Sequence, residues 1–312
     1  MNESDPRRAT VAHNLALAAE LLRIDAAFQH ARIPFLTWKG PVLAQLLYGQ
    51  FTDRRFHDLD LLLLPNDLPR ARTALHSLRY ETGLALTPAQ QRSFLRHHHE
   101  QVFTRPPAFV VELHWQIVQR QFAVDYPVRQ VFQRAQRVQF QAKELLHAGP
   151  EDTVVLCALH AAKHLWVYPD LLRDLGAALT LVRDWSLTWD IARAAHVQRY
   201  LACGLLQAAR LGYAQLPAEV AARVRQDKAA VRLADACAER NAPDKAFGSW
   251  FAGFAGRERL RDRARMFVRT LFTPTLNDWS DRRISDRWYF LYYVTRQARL
   301  LRGAVARVAH TS

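Results

Sequence analysis

Two aspartates, Asp58 and Asp60, stand one residue apart at the head of a leucine run, His57-Asp58-Leu59-Asp60-Leu61-Leu62-Leu63-Leu64. On an extended strand successive side chains alternate faces, so both carboxylates project to one side while Leu59 turns into a core. Along the strand they are about 6–7 Å apart, a spacing at which two carboxylates can share magnesium ions. Ions held there would grip the phosphates of a nucleotide, which is the chemistry of phosphoryl or nucleotidyl transfer. Two such ions need a further acidic ligand, because each prefers octahedral oxygen coordination. Glu112, in Val110-Val111-Glu112-Leu113-His114-Trp115, is the best candidate. A carboxylate among β-branched and apolar residues is costly to bury unless it has a metal or a partner. An edge strand with Glu112 in water is the plain alternative; the Asp-x-Asp pair in the same domain favours the ligand. His114 shares the face of Glu112 and could orient a substrate or a carboxylate.

Trp38-Lys39-Gly40-Pro41 precedes the acidic pair by one strand-helix unit. Gly40 lets the backbone approach a ligand closely, and Pro41 fits the first position of a helix. The free amides and positive dipole end of that helix would then face a triphosphate, with Lys39 adding a point charge. An ordinary strand-to-helix turn with a solvated lysine is the bland reading, and only the position before Asp58 raises the phosphate grip above it. Arg54 and Arg55 could neutralise phosphate charge or form a salt bridge with Asp53 or Asp58.

The elements that would position these groups follow from apolar periodicity. Helical spacing covers residues 9–30, and residues 33–38 read as a short strand. Residues 42–48 return to helix, and residues 56–64 form the strand that carries the aspartates. Asn66 or Asp67 caps a helix reaching to about residue 78. A helix over 88–96, strands over 100–104 and 109–115, a helix over 128–134 and a strand over 138–142 complete a mixed region. From Pro150 onward the pattern is helical throughout: 151–166, 171–183, 189–196, 200–213, 218–227, 229–240, 246–272 and 285–308. Gly149-Pro150 is the natural boundary. The fold class expected is therefore α+β: a mixed α/β domain over 1–149, then a helical domain over 150–312.

The combination of Trp38-Lys39-Gly40, Leu46-Leu47-Tyr48, Arg54, Asp58-Leu59-Asp60-Leu61-Leu62 and Val111-Glu112-Leu113-His114-Trp115 resembles an uncharacterised family of bacterial nucleotidyltransferases, part of the DNA polymerase β-like superfamily. Leu159-His160-Ala161-Ala162-Lys163-His164-Leu165-Trp166, followed by Arg173-Asp174-Leu175, is similar to the helical half of that family, so the resemblance spans roughly residues 15–200. Lys39-Gly40 stands where the wider superfamily usually has Gly-Ser, and Glu112 where it more often has Asp; both suit the narrower family. The resemblance implies a nucleotidyltransferase domain over 1–149, a small mixed sheet with flanking helices, and two-metal catalysis by Asp58, Asp60 and Glu112. Mg2+ is the expected ion, with Mn2+ as an alternative, and Lys39, Gly40 and Arg54 would contact the nucleotide. The implied reaction moves a nucleoside monophosphate, AMP foremost, from NTP to a hydroxyl or phosphate of a small-molecule, peptide or protein acceptor and releases pyrophosphate. His99 is a substrate-contact candidate by the same resemblance, His114 by sharing the face of Glu112, and Lys163 and His164 as side chains that could line the acceptor side. A catalytically inactive nucleotide- or partner-binding protein and an RNA-modifying nucleotidyltransferase are the rival readings.

Other features carry less. In His97-His98-His99-Glu100 three consecutive histidines cannot all face one ion on regular structure. His160 and His164 have zinc-ligand spacing on a helix, but no glutamate of a metalloprotease lies between them and no third ligand is near. The 312 residues are 50% hydrophobic and 23% charged, a globular composition. The formal charge of +14 suits a polyanionic partner. That excess leans away from the aspartates: residues 1–150 carry 18 Lys+Arg against 13 Asp+Glu, a difference of +5, and residues 151–312 the other +9. Nucleic acid is therefore not the favoured partner. The basic, aromatic stretch from Arg257 onward is read as a helix packing its aromatics inward. No run approaches the ~20 apolar residues of a membrane span. Cys157, Cys203 and Cys237 are odd in number and unspaced for metal, as in a cytoplasmic protein with reduced thiols.

Overall fold

The computed structural model describes residues 6–238 and 253–311. Its centre is a six-stranded mixed sheet in the order β3-β4-β2-β1-β6-β5, where β1 is Phe35–Thr37, β2 Leu59–Leu63, β3 Glu100–Arg105, β4 Phe109–His114, β5 Gln136–Phe140 and β6 Lys143–His147. Strand β2 runs antiparallel to β1 and parallel to β4, while β1 and β6 are parallel. The β3–β4 and β5–β6 pairs are antiparallel hairpins. Every residue of β2 is buried, which explains its near-continuous leucine pattern: a central strand covered on both faces has no solvent side to mark with polar residues. Removing each leucine side chain from water contributes roughly 1.5–3 kcal/mol, enough to hold an aspartate in the middle of such a strand.

In chain order the first helices are α1 (Pro6–His30), α2 (Gly40–Tyr48), α3 (Leu68–Ser77), α4 (Pro88–His97), α5 (Val128–Arg134), α6 (Pro150–Lys163) and α7 (Pro169–Ala178). Further helices occupy Trp185–Ala194, Gln198–Arg210, Ala218–Gln226 and Lys228–Ala238. Helices α6, α7 and Gln198–Arg210 pack on one another, and α7 also packs on α2. Two compact units result. The first comprises Met1–Thr82, Glu100–Ile117 and Asp125–Glu258; the second comprises Gly83–His99, Val118–Val124 and Arg259–Ser312. The Gly149-Pro150 junction lies inside the first unit. A Cβ at Gly149 would stand 2.6 Å from the Arg134 carbonyl, so only glycine fits where the chain turns from β6 into α6.

Several elements differ from the expectation. Residues 138–142 do not form one strand: the chain reverses at Gln141, with φ 53°, and makes the β5–β6 hairpin. That turn carries no glycine, so its usual sequence marker is missing. Asp67 makes no side-chain cap for α3 and instead pairs with Arg70. The helix expected over 151–166 ends at Lys163, because Leu165 and Trp166 take φ values of 62° and 56° and the Trp166 N–H turns back to the Ala161 carbonyl. The helix expected over 246–272 falls partly outside the described residues. Its described part is interrupted at residues 257–258 before the helix Leu260–Phe272 begins. The helix expected from 285 begins as a single 3-10 turn, Asp286–Trp288, ahead of Leu291–Thr311.

Candidate active site

The pairing of β2 with β4 places Asp60 directly opposite Glu112, and Leu62 opposite His114. Alternation along β4 puts Glu112 and His114 on one face. The β3–β4 hairpin adds Glu100, the cross-strand partner of His114, to that same face. Asp60, Glu112 and His114 each bring a ligand atom to within 4.8 Å of the others. His114 Nε2 lies 2.8 Å from Asp60 Oδ1 and 3.4 Å from Glu112 Oε2, and its Nδ1 lies 3.5 Å from Glu100 Oε2. Lys39 Nζ donates to Asp60 Oδ1 at 2.7 Å while sitting 4.2 Å from the centre of the Trp38 ring. Trp38 in turn meets the His114 ring edge-on at 5.3 Å. One oxygen of Asp60 is thus approached by both an ammonium and an imidazole.

Burial and mutual charge set the protonation of this group. Burial alone would raise the Asp60 carboxyl, but the Lys39 charge and the His114 hydrogen bond overcome it and hold the group well below the usual carboxylate range. At Asp58 the balance goes the other way: burial, then the charges of Asp60 and Glu112, outweigh the pull of Lys39 and His114 and push it up to about 7. Burial would lower His114 and Lys39, yet the carboxylates beside them raise both. Carboxylates converging on a wall where one of them is forced toward its neutral form suit a divalent cation, whose charge would offset their repulsion.

A cleft of about 1120 Å³ opens over this wall. Lys39, Gly40, Asp58, Asp60, Glu100 and Glu112 line one side, and His160, Lys163, His164, Tyr168 and Arg173 from the α6–α7 region line another. The His160 and His164 rings are 5.0 Å apart, and Tyr168 is 5.5 Å beyond His164. Burial holds His160 well below its ordinary value and His164 down at about 4, so both imidazoles are neutral near pH 7. Cys157 is buried, its thiol pushed up to about 12, and is no nucleophile.

Gly40 opens α2 with φ 71°, and Lys39 immediately before it is extended. Pro41 sits at the helix start, as its missing N–H allows. Arg54 also borders the cleft, but its partner is neither Asp53 nor Asp58. Its guanidinium makes a two-pronged contact with Asp174 on α7, with Nε and Nη2 each 2.7 Å from Oδ2. The Tyr48 hydroxyl donates to Asp174 Oδ1 at 2.7 Å. The chain segment leading to Asp58 is thereby tied to α7. Lys163 and His164 face the cleft, His114 is buried with Nε2 against Asp60, and His99, in the second unit, is buried. Sequence reasoning gave no site role to Glu100, Tyr48 or Asp174. Alternation along β3 does not reveal Glu100 until β3 is paired with β4, and Asp174 declares itself only through a partner 120 residues away.

The fold and the site together describe a protein whose cleft, lined by carboxylates and cations, opens beside the central strands of a mixed sheet. The sequence pattern described as "uncharacterised nucleotidyltransferase" matches residues 5–213, two thirds of the chain, and the chain belongs to that family. No curated protein matches the sequence. Among solved structures, similar ones are the lincosamide antibiotic adenylyltransferase LnuA with lincomycin bound (TM-score 0.37, 11% identity, covering 53% of this chain and 97% of that one) and the antibiotic-resistance factor ANT(2'')-Ia (0.41, 12%, 64% and 97%). An antigenic nucleotidyltransferase-like protein from Paracoccidioides brasiliensis is also similar (0.36, 15%, 69% and 91%). At such identities and scores these neighbours say nothing of this chain's acceptor.

Proposed function

We propose that this chain moves a nucleoside monophosphate, AMP foremost, from a nucleoside triphosphate to a hydroxyl or phosphate on a small-molecule, peptide or protein acceptor, releasing pyrophosphate. The observation that carries this reading is the register of β2 and β4, which sets Asp60 beside Glu112 with Asp58 on the same cleft. Asp58, Asp60 and Glu112 would hold divalent ions, Mg2+ or Mn2+, which would supply charge neutralisation at the α-phosphate and activation of the attacking oxygen. The chain's own groups do the rest. Lys39 and the free amides at the start of α2 lie on the cleft and offer positive charge to the triphosphate. Arg54, held by Asp174, stiffens the segment that presents Asp58. The neutral imidazoles His160 and His164, with Lys163, face the acceptor side. In-line displacement then depends on positioning and on preorganised charge.

Incubation with each labelled NTP, Mg2+ and a host-cell lysate tests this reading by showing whether label moves and onto what. Transfer with release of pyrophosphate is the expected result. Asp58→Asn should reduce it by about 10²–10³-fold with an unchanged circular dichroism spectrum. Nucleotide binding without any pyrophosphate release would make the chain a binding protein, and unchanged turnover in Asp58→Asn would remove the mechanism.

A further inference from the structure

The donor set at the centre of this site is not purely oxygen. His114 Nε2 stands among the same atoms that would hold an ion, 2.8 Å from Asp60 Oδ1 and 3.4 Å from Glu112 Oε2. Ligands about 2.1 Å from a common metal ion and at right angles to one another are themselves about 3.0 Å apart, so these spacings match neighbouring corners of one coordination shell. His114 is also oriented. Its ring is fully buried, is packed edge-on by Trp38, and turns Nδ1 toward Glu100 Oε2 at 3.5 Å. A carboxylate on the far nitrogen is the arrangement that fixes a metal-bound imidazole's tautomer and raises its basicity.

We propose that His114 is a metal ligand, that one divalent ion is held by Asp60, Glu112 and His114 together, and that this mixed set selects Mn2+ over Mg2+. The inference rests on the carboxylates of the site proposed above holding a cation, but it concerns the identity of that cation and not the reaction. Imidazole suits transition metals, whereas Mg2+ takes oxygen ligands and gives up its waters reluctantly. An ion bound through His114 is therefore one that accepts nitrogen. Asp58 stays outside the cluster of three and serves a second ion or the nucleotide-bound one.

Mn2+ bound to the full-length chain and followed by pulsed electron paramagnetic resonance tests the assignment directly, because a coordinated imidazole nitrogen modulates the electron-spin echo. Nitrogen modulation at one Mn2+ per chain is expected in the wild type, changing its pattern when the histidines carry 15N and vanishing in His114→Gln. Equilibrium titrations should show Mn2+ held at least about tenfold more tightly than Mg2+, a preference that His114→Gln narrows. Glu100→Gln, which leaves every ligand in place, should weaken Mn2+ by about 10–100-fold. Absence of nitrogen modulation with Mn2+ bound, no Mn2+ binding at all, or modulation that survives in His114→Gln would each overturn the proposal. If His114→Gln fails to fold, the 15N-histidine wild type and Glu100→Gln decide it. Transfer of NMP without nitrogen coordination would sink this inference alone; nitrogen coordination without transfer would sink the proposed reaction alone.

Discussion

Asp58, half-buried on the cleft, and Asp278, buried in the second unit, are both aspartates drawn away from water, and the chain treats them in opposite ways. Asp278, in the second unit, accepts from Arg296 Nη1 at 2.9 Å and from Arg299 Nε at 2.6 Å. It also accepts from the Thr275 N–H and hydroxyl, both at 2.8 Å. Burial would raise its carboxyl, but these donors hold it below the ordinary value. Asp58, in the first unit, faces two like charges and is pushed up to about 7. A carboxylate kept for structure arrives with its counter-charges supplied by the chain. A carboxylate kept for chemistry is left with a deficit of positive charge that a ligand can fill.

The comparison is broken most directly by removing each charge in turn. Asp278→Asn strips a buried two-arginine network of its anion and should cost about 3–5 kcal/mol of stability, read from urea unfolding at pH 7.5. Asp58→Asn should cost nothing there, and should gain. The sign follows from linkage. A carboxyl whose folded pKa is raised favours folding fully below its ordinary value of 3.8 and loses that contribution as pH climbs through about 7. Wild-type stability should therefore fall between about pH 4 and 7 by an amount that Asp58→Asn removes. Asp278 runs the other way: its contribution is present above 3.8 and disappears on acidification, so Asp278→Asn should approach wild type below about pH 4. Equal losses from the two substitutions at pH 7.5 would end the distinction.

How far the sequence discloses this contrast depends on distance along the chain. Asp60, Glu112 and His114 can be placed on faces by alternation alone, because period two is a local property of a strand, whereas Asp58, expected on the same strand, stands one residue before β2 begins. That Glu112 stands opposite Asp60 is a matter of register between strands some fifty residues apart, which no local pattern encodes. The same limit hid the partner of Arg54. Local candidates were Asp53 and Asp58, yet the geometry chose Asp174, whose motif Arg173-Asp174-Leu175 had drawn notice only as part of a family pattern. Lys39 was legible as a positive charge near phosphate, while its bond to Asp60 was not. The β5–β6 hairpin stayed hidden because Gln141 takes the left-handed turn that glycine or asparagine usually announces.

Asp174 sharpens the comparison because it belongs to both classes, a fully paired carboxylate that borders the cleft. Asp174→Asn keeps the shape but loses the charge that faces Arg54 and the Tyr48 hydroxyl. Charge-assisted bonds of this kind contribute about 2 kcal/mol, so a stability loss of that order is expected, less than for Asp278→Asn. Because the released Arg54 is only four residues before Asp58, NTP turnover should fall as well, mainly in kcat. Wild-type turnover in a folded Asp174→Asn chain would reduce the cluster to a structural tie.

The smallest effect is expected where the two walls meet the backbone itself. Gly40 holds φ at 71°, and a Cβ built on it would stand 3.6 Å from the carbonyl oxygen of Asp58, an ordinary contact. Space is therefore not what demands glycine; conformation is. An alanine in this left-handed region costs about 1 kcal/mol, and the chain can relieve that cost only by rotating Lys39 or the first turn of α2. Gly40→Ala should accordingly lower stability by about 1 kcal/mol while shifting the Lys39 ammonium away from Asp60. If Lys39 supplies the charge that holds Asp60 ionised, the Asp60 carboxyl should titrate higher in Gly40→Ala, which carbon-detected NMR of the aspartates can follow. An unshifted Asp60 in a chain destabilised by the expected amount would mean that the lysine keeps its place independently of the turn that presents it.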